Sequence, residues 1–162
     1  MRFHFNRETR LFLISTLLFG FSFSVWELFF NLYFLSLGFN QDMLGLIRSA
    51  TPLSALLLGL PLGLLSDRIG PRKSMLIGLT ICFTGMLFEI RLLNPILVYL
   101  FGWIQGAGYM LYHIAQPPYI MTVSKQEHQA LIFSLNFGFL TVASMVGNLV
   151  AGQVPIQLER FL

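Results

Sequence analysis

Charge in this chain is confined to gaps. Five long apolar stretches follow one another, and the Lys, Arg, Asp and Glu residues fall almost entirely between them. A helix needs about 20 consecutive apolar residues to cross the hydrocarbon core of a bilayer. Charged residues make up 10% of the 162 and hydrophobic residues 56%, with a mean hydropathy of +0.73. A soluble domain is about 25% charged. A soluble fold of this size could not bury so much apolar surface, so lipid must solvate part of it. The expectation is an all-α integral membrane protein with about five transmembrane helices.

The spans fall at about residues 11–37, 43–66, 74–93, 95–116 and 129–155. Residues 1–10 form a charged tail, and residues 156–162 a further tail or the start of a sixth span. The first span is interrupted by Glu27; the second contains Arg48, Pro52 and Pro61; the third carries Glu89 and Arg91 near its far end. The fourth is expected to end before Pro117-Pro118. A charged tail before an apolar run also suggests a signal peptide, but the run is too long and no cleavage site follows it. The connections are short, which implies antiparallel neighbours and no separate soluble domain.

Several functions are disfavoured. The net charge of +3 does not point to nucleic acid, because the cations sit in short gaps rather than on an amphipathic face. Cys82 is the only cysteine, so no intrachain disulfide forms. His4, His113 and His128 are far apart, and no Cys and His cluster has metal-ligand spacing. No phosphate-binding loop and no nucleophile-base pair is recognisable. The chain reads as a non-enzyme without cofactors.

Orientation follows from Lys and Arg in the loops. With the N-terminus inside, the inner segments hold Arg2, Arg7, Arg10, Arg68, Arg72, Lys73 and Lys125. The outer segments hold Arg91 and Arg160, with Arg48 just within a span. This bias places the N-terminus in the cytoplasm and the protein in the cell membrane.

Between the second and third apolar stretches lies a dense island, Gly63-Leu64-Leu65-Ser66-Asp67-Arg68-Ile69-Gly70-Pro71-Arg72-Lys73. Gly70 suits the left-handed position past a helix end, and Pro71 stops continuation. The island resembles the loop signature of the major facilitator superfamily of transporters, with Pro71 where that family usually has a basic residue. The order of spans and loops resembles the N-terminal half of the twelve-helix fold, truncated. The resemblance implies that Gly63 permits close helix contact. It also implies that Asp67 forms a conformational latch with Arg68, Arg72 and Lys73 and a helix of a C-terminal half. Gln105-Gly106 matches a fourth-span pattern of the family, but Gly102 stands where an arginine is usual, which weakens proton coupling through that position. Ala143, Gly147, Asn148, Ala151 and Gly152 give a degenerate version of an exporter run.

Candidate coupling and cavity residues come from the spans themselves. Glu27 is the sharpest, because an ionisable residue inside a span is costly and faces a partner or a cavity. Its expected partner is Arg48. The alternative is a structural ion pair or a neutral carboxyl. Gly20, Ser24, Glu27 and Asn31 share one face of a helix, as do Gln105, Tyr109, Tyr112 and Gln116, and Phe137, Thr141, Ser144 and Asn148. Such stripes suit a wet central cavity between inverted repeats; single Ser and Thr residues serve equally as interhelical glue. Ala55, Gly59 and Gly63, and Ala143, Gly147 and Ala151, are small residues spaced for close packing.

The resemblance implies a secondary active transporter of a small solute working by alternating access, with proton-coupled efflux slightly favoured. Its partners would be the lipid bilayer, a small-molecule substrate and a missing C-terminal half. The competing reading is a non-transporting membrane interaction protein that assembles with other helices.

Overall fold

The computed structural model describes residues 6–161, with side chains described to residue 153. Arg2 and His4 lie outside the described residues, as do the side chains of Pro155, Arg160 and the rest of the 156–162 tail. The described residues form five helices: α1 (Arg7–Ser36), α2 (Gln41–Ile69), α3 (Pro71–Arg91), α4 (Pro95–Val123) and α5 (Gln126–Phe161). Four are long and apolar enough to cross a membrane: α1, α2, α3 and Gln126–Gln153 of α5. α4 is of similar length but has Tyr, Gln and His side chains and three glycines among its apolar residues.

Asparagines start three of the helices. A helix N-terminus leaves its first backbone N–H groups without partners, and an Asn side chain can accept from one of them. Asn6 accepts from the Thr9 amide at 2.8 Å, and Asn40 from the Met43 amide at 2.8 Å. Asn94 accepts from the Ile96 amide at 3.0 Å, just before Pro95 opens α4. Proline is well placed there, because its missing N–H would have had no intrahelical partner.

A single residue links α2 to α3. Gly70 has φ 87° and ψ 153°, a region open essentially to glycine alone. It is therefore not the left-handed helical cap expected from the sequence. Its amide donates to the Ser66 carbonyl at 2.9 Å, and its carbonyl accepts from the Ser74 amide at 3.1 Å and the Ser74 hydroxyl at 2.9 Å. One glycine thus closes one helix and opens the next. Pro71 then takes the first position of α3.

The fourth helix departs from expectation. It does not stop before Pro117-Pro118 but runs through both to Val123. The two prolines deprive the carbonyls of His113 and Ile114 of their usual donors. The remaining helical bonds carry the chain on for another turn.

The chain divides into two compact units, and the division falls just past these prolines. Residues 1–37 and 120–162 form one unit, in which α1 packs along α5. The small-residue stripe of α5 makes this contact. A Cβ on Gly20 would meet Leu140 at 3.0 Å and the Ala143 Cβ at 3.3 Å, and one on Gly147 would meet Ser24 and Phe21. Polar side chains join the same interface. The Thr16 hydroxyl, fully buried, donates to Asn136 Oδ1 at 2.8 Å. Asn6 Nδ2 and the Thr9 hydroxyl reach the Val123 carbonyl at 2.8 and 3.2 Å, so the start of α1 caps the end of α4.

Residues 38–119 form the second unit. Here α4 packs against α2 and α3 through glycines on different faces. Toward α2, a Cβ on Gly106 would lie 2.8 Å from Thr51 and 2.7 Å from Ser54 Oγ. Toward α3, Gly78 faces the Tyr112 backbone, Gly85 faces the Gln105 backbone and Gly108 faces Cys82. The α2 stripe behaves differently from its α5 counterpart. Gly59 approaches Met110, while around Gly63 no atom lies within 4 Å of a Cβ position. The close helix contact implied for Gly63 is therefore not made within the described residues; on α2, Ala50, Thr51 and Ser54 meet α4 instead.

Candidate functional site

The charged island is built at the α2–α3 joint. Asp67 and Arg68 lie in the last turn of α2, Arg72 and Lys73 in the first turn of α3, and all four are exposed. Basic residues at the start of a helix oppose its dipole, so Arg72 and Lys73 gain nothing from their own helix. Pro71, at the departure from the family pattern, serves as the first residue of α3.

In the first unit, the expected stripe on α1 divides. Gly20 and Ser24 are buried against α5, and the Ser24 hydroxyl donates to the Phe21 carbonyl at 2.9 Å. Glu27 is exposed and Asn31 half-buried. The α5 stripe is mostly outward: Phe137, Thr141 and Asn148 are exposed, and Ser144 reaches the Gly20 carbonyl at 3.4 Å. Gly20, Ser24 and Ser144 therefore belong to the α1–α5 contact. Asn136, absent from the expected stripes, is the buried amide of that contact. Its signal was present as a polar residue one helical turn before Leu140 and two before Ala143, on the face that α1 covers.

In the second unit, the α4 stripe is turned inward. Gln105, Tyr112 and Gln116 are buried, Tyr109 half-buried. Gln105 and Tyr112 were expected to line a cavity; both lie against α3, because Gly85 and Gly78 let the backbones meet. Tyr109 stacks at a tilt on His113, with ring centroids 4.3 Å apart, and Tyr112 meets His113 edge-on at 5.5 Å.

The main residue missed is Glu89. It lies in the last turn of α3 and is only 2% exposed. The Gln105 amide end lies against it: with its NH2 turned toward the carboxylate, the nitrogen donates to both oxygens, at 3.2 and 3.1 Å. Arg48 of α2 acts on the carboxylate electrostatically. Gly102 flanks the group: a Cβ there would lie 3.1 Å from Glu89 Oε1 and 3.0 Å from the Ala50 Cβ. At the position where an arginine is usual, a Cβ would already crowd Ala50 and Glu89, and the positive charge that acts on the carboxylate belongs to α2. In the sequence Glu89 stood beside Arg91 close to a span end, where charges are common and cheap.

Compared with known families, the chain matches the Major Facilitator Superfamily over residues 12–155. No curated protein and no solved structure matches it.

Proposed function

Because the chain belongs to the major facilitator superfamily of membrane transporters, we propose that it moves a small solute by secondary active transport, with alternating access as its mechanism. The observation that carries this reading is the family match, which runs from the first turns of α1 through most of α5. The helix faces support it: Leu56 and Leu60 of α2 are 77% and 78% exposed, as side chains bathed in lipid would be.

Transport of this kind uses two repeats that rock about a central site. In our reading this chain supplies the N-terminal repeats, and a further set of helices supplies the other half. Asp67, Arg68, Arg72 and Lys73 are exposed at the α2–α3 joint and free to engage that half as a latch that forms in one state and releases in the other. Gly63 has open space around it and can receive a partner helix there. Glu27 is the coupling carboxylate of the first unit, exposed on α1 with Asn31 one turn away. Tyr109 and Asn148 contribute to solute contact. The bias of Lys and Arg supports an N-terminus in the cytoplasm and a location in the cell membrane.

The test is uptake into proteoliposomes that hold the complete reading frame, with candidate solutes and with or without an imposed pH gradient. Transport that responds to the gradient, and loses that response in Glu27→Gln, supports coupled transport through Glu27. Transport with an unchanged pH response in Glu27→Gln removes the coupling role. No transport by any solute, with the helices intact, favours a membrane interaction protein.

A further inference from the structure

Glu89 has no part in the function just proposed, and its setting is unusual for a carboxylate in a membrane helix. Three helices converge on it. α3 carries it, α4 presents the Gln105 amide end, whose nitrogen lies 3.2 and 3.1 Å from the two oxygens when the NH2 is turned toward them, and α2 brings the charge of Arg48. Gln105, like Glu89, is 2% exposed. Gly102 leaves bare α4 backbone against Oε1. A polar group so enclosed is stable only with partners in place.

What sets this site apart is that its partners suit both protonation states. An ionised carboxylate only accepts hydrogen bonds, whereas a protonated one also donates. A glutamine amide carries two donors on one side and an acceptor on the other, in nearly the same shape. With Glu89 ionised, Gln105 turns its NH2 group to the oxygens. With Glu89 protonated, a half-turn of the amide puts the carbonyl oxygen in the same place, and the new O–H donates to it. No backbone movement is required. Arg48 responds in the opposite sense, since its counter-charge is present only in the ionised state.

We propose that Glu89 is a proton-binding site of the second unit, read by reversal of the Gln105 amide and by loss of the counter-charge to Arg48. The proton comes from the aqueous phase and binds one carboxylate oxygen. The Arg48–Glu89 pair then passes from net neutral to a single positive charge. The field on the half-buried Arg48 side chain changes with it. Cys82, on α3 itself, also feels the carboxylate electrostatically. α4 presents no Asp, Glu, Lys or Arg anywhere along its length. Use of this proton in transport rests on the function proposed above; its binding does not.

Infrared difference spectroscopy on the full chain in lipid nanodiscs tests the site. Acidification is expected to raise a carboxylic acid C=O band, together with changes in a glutamine amide band and in the arginine guanidinium bands. Glu89→Gln should abolish all three, and Glu27→Gln should leave them in place. Gln105→Leu keeps the carboxyl but removes its partner, so the acid band should shift to higher frequency and the amide change disappear. If Glu89→Gln does not fold, as circular dichroism would show, Gln105→Leu decides: an unshifted acid band overturns the proposal. So does an acid band that survives in Glu89→Gln, or the absence of any such band in the unaltered chain. Bands as expected, without pH-driven uptake in the liposome assay, would sink the coupled-transport reading and leave the proton site standing.

Discussion

Replacing Gly85 by alanine should drive α3 and α4 apart, although both residues are small and the site lies within a helix. A Cβ at Gly85 would stand 2.6 Å from the Gln105 nitrogen and 2.8 Å from its Cα and Cβ. Carbon atoms in contact prefer about 3.5–4.0 Å, so the helices must separate by roughly 1 Å. A gap of about 0.5–1 Å forfeits a quarter to a half of each contact it opens. The obstructing atoms are backbone and Cβ, so no rotamer change relieves the clash. Overpacking of this kind costs about 1–3 kcal/mol. Against it stands the helix-forming advantage of alanine over glycine, up to about 1 kcal/mol.

Gly138→Ala isolates the opposing effect. Gly138 lies inside α5 with no atom within 4 Å of its Cβ position. It receives the same helix-forming gain without the clash. Gly138→Ala should therefore stabilise the chain and Gly85→Ala destabilise it or leave it near neutral. The difference between them isolates the overpacking cost, about 1–3 kcal/mol. The measurement is detergent-induced unfolding in mixed micelles. Trp103 of α4 reports Gly85→Ala in the second unit once Trp26 is changed to Phe, and Trp26 of α1 reports Gly138→Ala in the first unit once Trp103 is changed to Phe. Equal stability of the two variants, within about 0.5 kcal/mol, would refute the direct backbone contact of α3 with α4.

Four further outcomes follow from the geometry. Gly70→Ala forces an L-residue into a conformation costing about 1–3 kcal/mol; the same unfolding assay should register that loss, whereas Gly63→Ala should register none. A double-mutant cycle of Thr16→Val and Asn136→Leu should give a coupling of about 0.6–1.7 kcal/mol, the range for hydrogen bonds between membrane helices; additive losses would show that the bond contributes nothing. Asn6→Ala removes the cap of α1 and the donor to the Val123 carbonyl, and should cost about 0.5–2 kcal/mol; hydrogen exchange of the Thr9 amide should speed up with it. A cysteine introduced at Arg72 in a Cys82→Ser background should resist an impermeant thiol reagent applied outside intact cells; rapid labelling would reverse the proposed orientation.

The class of fold was legible because hydropathy is a sum over many residues, so local errors cancel. The glycine joint at Gly70-Pro71 was legible because backbone geometry there admits few residues, although the φ/ψ region it takes differs from the one expected. The end of α4 was misread. Pro117-Pro118 looked like a stop, yet a helix tolerates missing donors when its termini are held, and the Val123 carbonyl is held by Asn6 and Thr9, more than a hundred positions away in the chain. Helical periodicity also found the polar stripe of α4 without revealing what it faces. Period sets which residues share a face; the glycines of the neighbouring helix decide whether that face meets water or backbone.

Glu27 and Glu89 show the same division between what sequence contains and what packing decides. By sequence Glu27 was the sharper candidate, because it lies deep within its apolar run and Glu89 near the end of one. Depth along a helix measures distance from the headgroups, whereas the cost of a charge depends on what surrounds it sideways. Glu27 is exposed on α1, and Glu89 is closed in by Gln105, Ala50 and the bare backbone at Gly102. Three small positions, Gly85, Gly102 and Ala50, let α2 and α3 crowd α4 at this point, so the carboxylate is sealed by residues that carry no chemistry of their own. A search for function that weighs only polar residues passes over such a site, because its most telling members are glycines.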